Sequence, residues 1–242
     1  MTTLFLAWQA PVSRNWFPVG RLDADAGRER FNFRYTQGVI AAKEHGFHPL
    51  PGFPDFNDDY CSPVLFPMFR NRILASRRKD YQEYLHSLDL DRDDPIEILA
   101  ITGGTRQTDS FEMFPKIEKQ MDGSFMCRFF LHGLRYMSES ARQRAEHLQA
   151  GESLGVSIEL TNPATGVAIQ LTTRDYEFVG WTPRYLVSDL IHTIVDVSRI
   201  RAQVVRMNGA EVPPNRRVLI EFAGHLPLDA PPMSGQEFQV LA

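Results

Sequence analysis

The sequence is poor in the residues that build disulfide frameworks, membrane spans and catalytic signatures. It has two cysteines among 242 residues, Cys61 and Cys127. Two are too few for a scaffold of disulfide bridges, and neither sits in a Cys-x-x-Cys pair of the kind that holds zinc or shuttles electrons. Both read as buried thiols. No stretch approaches the ~20 apolar residues that a helical span needs, and the Met1 end lacks the basic-then-apolar order of a secretory signal. The expected location is the cytoplasm, with no membrane partner. A basic excess is missing too: 26 Lys and Arg stand against 30 Asp and Glu, a formal net charge of -4. Proteins that wrap duplex through phosphate contacts carry the opposite balance, so any nucleic-acid site must be local. Residues 128–224 hold 11 basic and 10 acidic side chains, a near-neutral segment that suits a small pocket better than a long groove.

Catalytic signatures are absent as well. There is no Gly-x-Ser-x-Gly elbow to supply a nucleophile. Gly103-Gly104-Thr105 lacks the Gly-Lys-Ser/Thr ending that seats a phosphate and magnesium, and reads as a turn. The acidic run Asp89, Asp91, Asp93, Asp94 has Asp94 where a calcium loop needs its sixth-position glycine and Ala100 where it needs its closing glutamate; it reads as a solvated linker. His45 and His48, with Asp55, Asp58 and Asp59, have the residue types of a metal site but lie in a Pro-rich stretch with no register that aims them at one point. The expectation is a chain with no catalytic residue, metal or cofactor, hence not an enzyme.

What is present is a change of composition along the chain. Residues 46–67 are dense in Pro, Gly and aromatics, which forbids a long helix. Residues 86–95 form an acidic hinge ending in Pro95, and the domain boundary falls there: one module over 1–90, a second over 91–225 and a tail over 226–242. In the first module Leu4–Trp8 and Phe31–Tyr35 read as strands that pair through the Gly20 to Gly27 connection. Phe69 to Leu85 reads as one basic-faced helix, carrying Arg70, Arg77, Arg78 and Lys79 as a strand path or merely a solvated face. The second module opens with an apolar strand, Ile96–Thr102. Strands follow at 125–130, 153–161, 167–173, 201–207 and 217–222, with helices over 139–149 and from Pro183 to about Val197. Many short strands with two helices between them predict a small barrel, and an α+β protein overall.

Three stretches in the second module carry recognisable chemistry. Gly133-Leu-Arg-Tyr136 is an Arg-Tyr pair at a strand end. Leu160-Thr-Asn-Pro-Ala-Thr-Gly166 is an Asn-Pro turn into a strand. Val179-Gly-Trp-Thr-Pro-Arg184 runs from a strand into a Pro-started helix. An arginine, two aromatics and a helix start converging on one mouth suit a phosphate and a stacked base. The same residues also fit a core lining of Tyr136 and Trp181 beside a solvated Arg135.

In their order and spacing over residues 128–224, these three stretches resemble a HIRAN domain. The resemblance implies a non-catalytic, OB-like barrel with two helices that binds single-stranded DNA or DNA 3′ ends. It implies that Arg135 and Tyr136 contact the nucleotide, that Trp181 is the aromatic following the strand glycine, and that Arg184 adds charge at the helix start. Thr165 stands where the family has an acidic residue, so its hydroxyl accepts without charge assistance. The first module, through Gly20-Arg-Leu22, Phe31–Tyr35 and Phe66-Pro-Met-Phe-Arg-Asn-Arg-Ile-Leu74, resembles the N-terminal subdomain of HipA-type toxin kinases without the kinase core. That implies a docking module, and as an alternative function an antitoxin-like partner of a separately encoded HipA-type kinase.

Overall fold

Two antiparallel sheets organise the chain, and their strands come from two sets of segments rather than from two halves. The computed structural model describes every residue except Ala26, Arg28, Glu29, Ala164, 194–197, Ala230 and Ala242, and of Arg135 only the backbone. Contacts group Met1–Tyr84, Arg92–Lys116 and Met233–Ala242 into one unit, and Leu85–Asp91 with Ile117–Pro232 into another. With six helices among the described residues, the architecture is mixed α+β. No helix is long and apolar enough to cross a membrane among those residues.

The first unit holds β1 (Thr2–Gln9), β2 (Trp16–Asp25), β3 (Arg30–Tyr35), β4 (Tyr60–Ser62) and β5 (Phe111–Pro115), in the order β4-β3-β2-β1-β5. The expected direct pairing of Leu4–Trp8 with Phe31–Tyr35 is not made, because β2 lies between them and pairs with both. Pro18 and Gly20 disguise β2 as a loop in the sequence. The structure places Pro18 where β2 has only β1 beside it, next to a bulge in which Leu6 faces Gly20 and Ala7 faces Pro18, a position that tolerates a missing N–H. β5 pairs with β1, so residues 111–115 join the first sheet and the boundary drawn at 90/91 does not follow the contacts. The core beneath this sheet is aromatic: Phe33, Tyr35, Phe47, Phe53 and Phe69 are all buried.

The helices of this unit are α1 (Gly38–Glu44), α2 (Pro67–Arg70), α3 (Tyr81–Ser87, through which the division between units passes) and α4 (Pro95–Thr102). The single helix expected over 69–85 is broken between α2 and α3. Arg72 turns inward there: its side chain is 3% exposed, forks onto Asp109 at 2.7 and 3.2 Å and donates to Gly104 O at 2.9 Å. The expected strand Ile96–Thr102 is α4. Its ends explain the correction: Asp94 accepts from the Ile96 and Glu97 N–H groups, Pro95 opens the first turn, and Gly103 closes it at φ 67°. Capping and stop signals outweigh the β-branched composition. The acidic run is likewise not a solvated linker. Asp89 (φ 59°) pairs with Arg128 and Arg206 in the second unit, and in the first Asp93 accepts from Tyr81 and Asp94 caps α4. Cys61 is exposed on the edge strand β4, not buried, whereas Cys127 is half-buried and desolvation pushes its thiol up to about 12.

The second unit contains β6 (Ser124–Phe130), α5 (Glu139–Glu146), β7 (Ser153–Asn162), β8 (Gly166–Thr172), β9 (Phe178–Trp181), α6 (Arg184–Thr193), β10 (Arg201–Met207) and β11 (Val218–His225), with sheet order β6-β11-β10-β7-β8-β9. The expected closed barrel is not formed as a continuous ladder among the described residues, since β6 and β9 are both edges. Just past β6, however, His132 forms an isolated antiparallel bridge with Trp181. Two reciprocal hydrogen bonds, His132 N to Trp181 O at 3.0 Å and Trp181 N to His132 O at 3.1 Å, tie the two edges together. The expected helix from Pro183 is observed as α6 to Thr193; its continuation toward Val197 lies outside the described residues.

Candidate functional site

The tie between the sheet edges needs two residues without side chains. A Cβ on Gly180 (φ 150°) would sit 2.6 Å from Leu131 Cγ and 2.8 Å from His132 O. One on Gly133 (φ 88°) would sit 2.1 Å from Trp181 Cε3. Only glycine permits this approach. Its consequence is that Gly133-Leu-Arg-Tyr136 and Val179-Gly-Trp-Thr-Pro-Arg184, 43 residues apart between Tyr136 and Val179, meet at one place. Leu134–Tyr136 forms a tight 3-10 turn immediately after Gly133. Its last residue, Tyr136, is 71% exposed. The Arg135 side chain lies outside the described residues, so its predicted contact with a nucleotide has no geometry here.

Trp181 is held on several sides. Gly133 lies against the ring, Phe178 packs on it with centroids 4.5 Å apart and planes at 67°, and its Nε1 donates to Glu159 Oε2 at 2.8 Å. It is a half-buried wall of the mouth rather than a loose platform, and Tyr136 is the aromatic ring that stands in solvent. Arg184 is the first residue of α6. Its guanidinium is close enough to His132 to act, after burial, as the second cause that holds the imidazole down at about 4. His132 is therefore neutral at neutral pH.

The Asn-Pro turn reaches the same place through Glu159. The register of β7 on β8 and of β8 on β9 puts Glu159, Gln170 and Trp181 on one face. Glu159 accepts from Asn162 Nδ2 at 3.0 Å and from Trp181 Nε1, and with Gln170 these donors hold its carboxyl below the usual range. Asn162 in turn accepts from the Thr165 N–H at 3.1 Å. The Thr165 hydroxyl lies 3.1 Å from Asn162 Oδ1 and 2.8 Å from Val167 O. Its one proton is committed to the turn, and its oxygen keeps lone pairs to accept with.

Sequence reasoning named Tyr136, Thr165, Trp181 and Arg184, and the structure links them through backbone bridge, packing and hydrogen bonds. It missed His132 and Glu159. Strand alternation would have pointed to Glu159, two residues from Ser157 on one face of β7, and His132 directly precedes the Gly133 motif. The other candidates lie apart from this mouth. His45 is exposed against Phe17 and Ser13, His48 is exposed, and Asp59 faces Arg34. Among the described residues no three His, Cys, Asp or Glu are grouped to hold a metal ion. The Gly103-Gly104 turn, both residues left-handed, closes α4 and presents its carbonyl to Arg72.

No family model and no curated protein matches this chain. Among solved structures, a crystal structure of a protein from Lactobacillus plantarum, a structural genomics target, covers 43% of this chain and 100% of its own, at 16% identity and a TM-score of 0.31. That overlap is too slight to carry fold or function across.

Proposed function

We propose that the second unit is a HIRAN-like, OB-like module that binds nucleic acid without catalysis, engaging single-stranded DNA or a DNA 3′ end at the mouth closed by His132 and Trp181. The observation that carries this reading is the convergence of three separated motifs on one small surface. Tyr136 offers the stacking face, Trp181 the wall, Arg184 and Arg135 the charge for phosphate, and Thr165 an acceptor at the turn. His132 is neutral, so the positive charge of the mouth rests on the arginines, and the fixed Glu159 carboxylate supplies a second acceptor beside Thr165. With one carboxylate in a near-neutral site, affinity rests on stacking plus one or two phosphate contacts, so it is modest and salt-sensitive.

Fluorescence anisotropy of a short labelled single strand, with a free or a blocked 3′ end, tests this. The Arg135→Ala/Tyr136→Ala double variant is expected to lose about 1–3 kcal/mol of binding per stacked base. A free-end preference that Thr165→Ala abolishes would assign end capture to the turn. Absence of binding at moderate salt removes the reading and leaves a protein partner, of the kinase-docking kind, as the alternative.

A further inference from the structure

A cavity of about 800 Å³ opens in the first unit, lined by β3, the stretch after β4, the segment between α2 and α3, and the residues around Pro95. That volume is within the range of small-molecule sites, roughly 300–1,000 Å³. Its apolar lining includes Phe31, Leu65, Ile73 and Leu74. Two arginines, Arg70 and Arg77, are among the lining residues and are exposed. Four arginines lie between Arg70 and Arg78, and the structure sorts them. Arg72 is buried on Asp109 and Arg78 forks onto Asp80 at 2.8 Å. The side chains of Arg70 and Arg77 have no such partner among the described residues, and these two are the ones at the cavity.

The wall that completes the cavity is polar and fixed. Tyr81 is 5% exposed and its hydroxyl donates to Asp93 Oδ1 at 2.6 Å. Burial, then the bond to Asp93, raises this phenol above its ordinary range, so it stays protonated and the donation is permanent. Asp93 Oδ2 is left to accept from a hydroxyl or amino group.

We propose that this cavity binds a small organic phosphate, with its phosphate on Arg70 and Arg77, its apolar body against Ile73, Leu74 and Phe31, and a donor group at Asp93. Two cations match a phosphomonoester, which carries nearly two negative charges at neutral pH, better than a single carboxylate. The site is independent of the nucleic-acid reading, since every residue in it belongs to the other unit.

Calorimetric titration of the full chain with phenyl phosphate, inorganic phosphate and benzyl alcohol separates the contributions. Phenyl phosphate is expected to bind about tenfold or more tightly than either fragment. Arg70→Ala/Arg77→Ala is expected to weaken it about tenfold or more, while Arg78→Ala, which breaks a pair outside the cavity, leaves it unchanged. Both arginines of the double variant are exposed, so folding is kept, and circular dichroism checks that. Equal affinity of the double variant, or no saturable binding of phenyl phosphate at millimolar concentration, overturns the proposal.

Discussion

Both units bury aromatic rings in their cores, the second with Phe125 stacked on Phe222, but they differ in the rings they leave at the surface. In the first, Phe33 is fully buried, with ring centroids of Tyr35, Phe53, Tyr60 and Phe69 between 4.2 and 6.5 Å away. Even the backbone is fitted to it, because a Cβ on Gly20 would meet the Phe33 ring at 2.5 Å. In the second, Phe178 and Trp181 pair at the rim of the mouth and Tyr136 stands 71% exposed. Rings that touch other rings on every side hold a fold together by shape. A ring such as Tyr136, 71% exposed beside a glycine-tight backbone junction, keeps most of its surface accessible to a ligand.

The largest effect that would break this contrast is at Phe33. Replacing it with alanine removes the centre of the aromatic cluster and is expected to cost about 3–5 kcal/mol in urea unfolding. Tyr136→Ala, an equally drastic truncation at a residue 71% exposed, is expected to cost no more than about 1.5 kcal/mol. Similar losses at both positions would mean that Tyr136 is a packing residue after all, and that the mouth is a piece of core.

A somewhat smaller effect is expected at Gly133. Alanine there meets the Trp181 ring and adopts a left-handed conformation, at a combined cost of about 2–4 kcal/mol. Because the ring must move for the methyl group to enter, Trp181 emission should shift to the red as the indole becomes hydrated. Unchanged stability and emission would show that the sheet edges are not held together through this contact. Gly166, also at positive φ but with nothing within 4 Å of its Cβ position, is the matched control for conformational strain alone.

Legibility in the sequence followed the same division. The strands of the second unit were readable because each side chain alternates between the sheet's faces, and the motifs at their ends were readable because Gly, Asn-Pro and Trp-Thr-Pro-Arg mark chain reversals. Their convergence was not readable, since it depends on the bridge between His132 and Trp181, a contact between sheet edges that no local pattern encodes. The first unit was harder. β2 hides behind Pro18 and Gly20, whose roles exist only once β1 supplies a bulge. α4 hides behind four β-branched residues, Ile96, Ile98, Ile101 and Thr102, although Asp94-Pro95 and Gly103 announced its ends. The break between α2 and α3 follows from a long-range partner, Asp109, that draws Arg72 inward 37 residues before it in sequence.

The units should also differ at the acid end of the pH scale, which sharpens the comparison with the smallest of the expected effects; at the alkaline end each carries a desolvated acid, Tyr35 in the first and Cys127 in the second. His132, at about 4 against an ordinary 6.5, stays neutral in the folded second unit while the unfolded chain takes up a proton. Its contribution is complete above pH 6.5 and is lost as pH falls toward 4, about 2 kcal/mol in all once partial exposure is allowed for. Tyr35 behaves in the other sense. Buried in the first unit, it donates to Phe53 O and accepts from the Leu50 N–H, both at 2.7 Å, and desolvation raises its phenol from 10 to about 12. Its contribution is complete below pH 10 and is lost as pH rises toward 12, by about 2–3 kcal/mol. The three tryptophans permit the two to be read separately, since Trp8 and Trp16 belong to the first unit and Trp181 to the second. In a Trp8→Phe/Trp16→Phe background the urea midpoint reported by Trp181 should fall between pH 6.5 and 4, and His132→Gln should flatten that fall. In a Trp181→Phe background the midpoint should hold through that window and fall above pH 10. A single midpoint moving identically in both backgrounds would show that the chain unfolds as one cooperative body, and that the contrast in aromatic packing does not extend to separate stabilities.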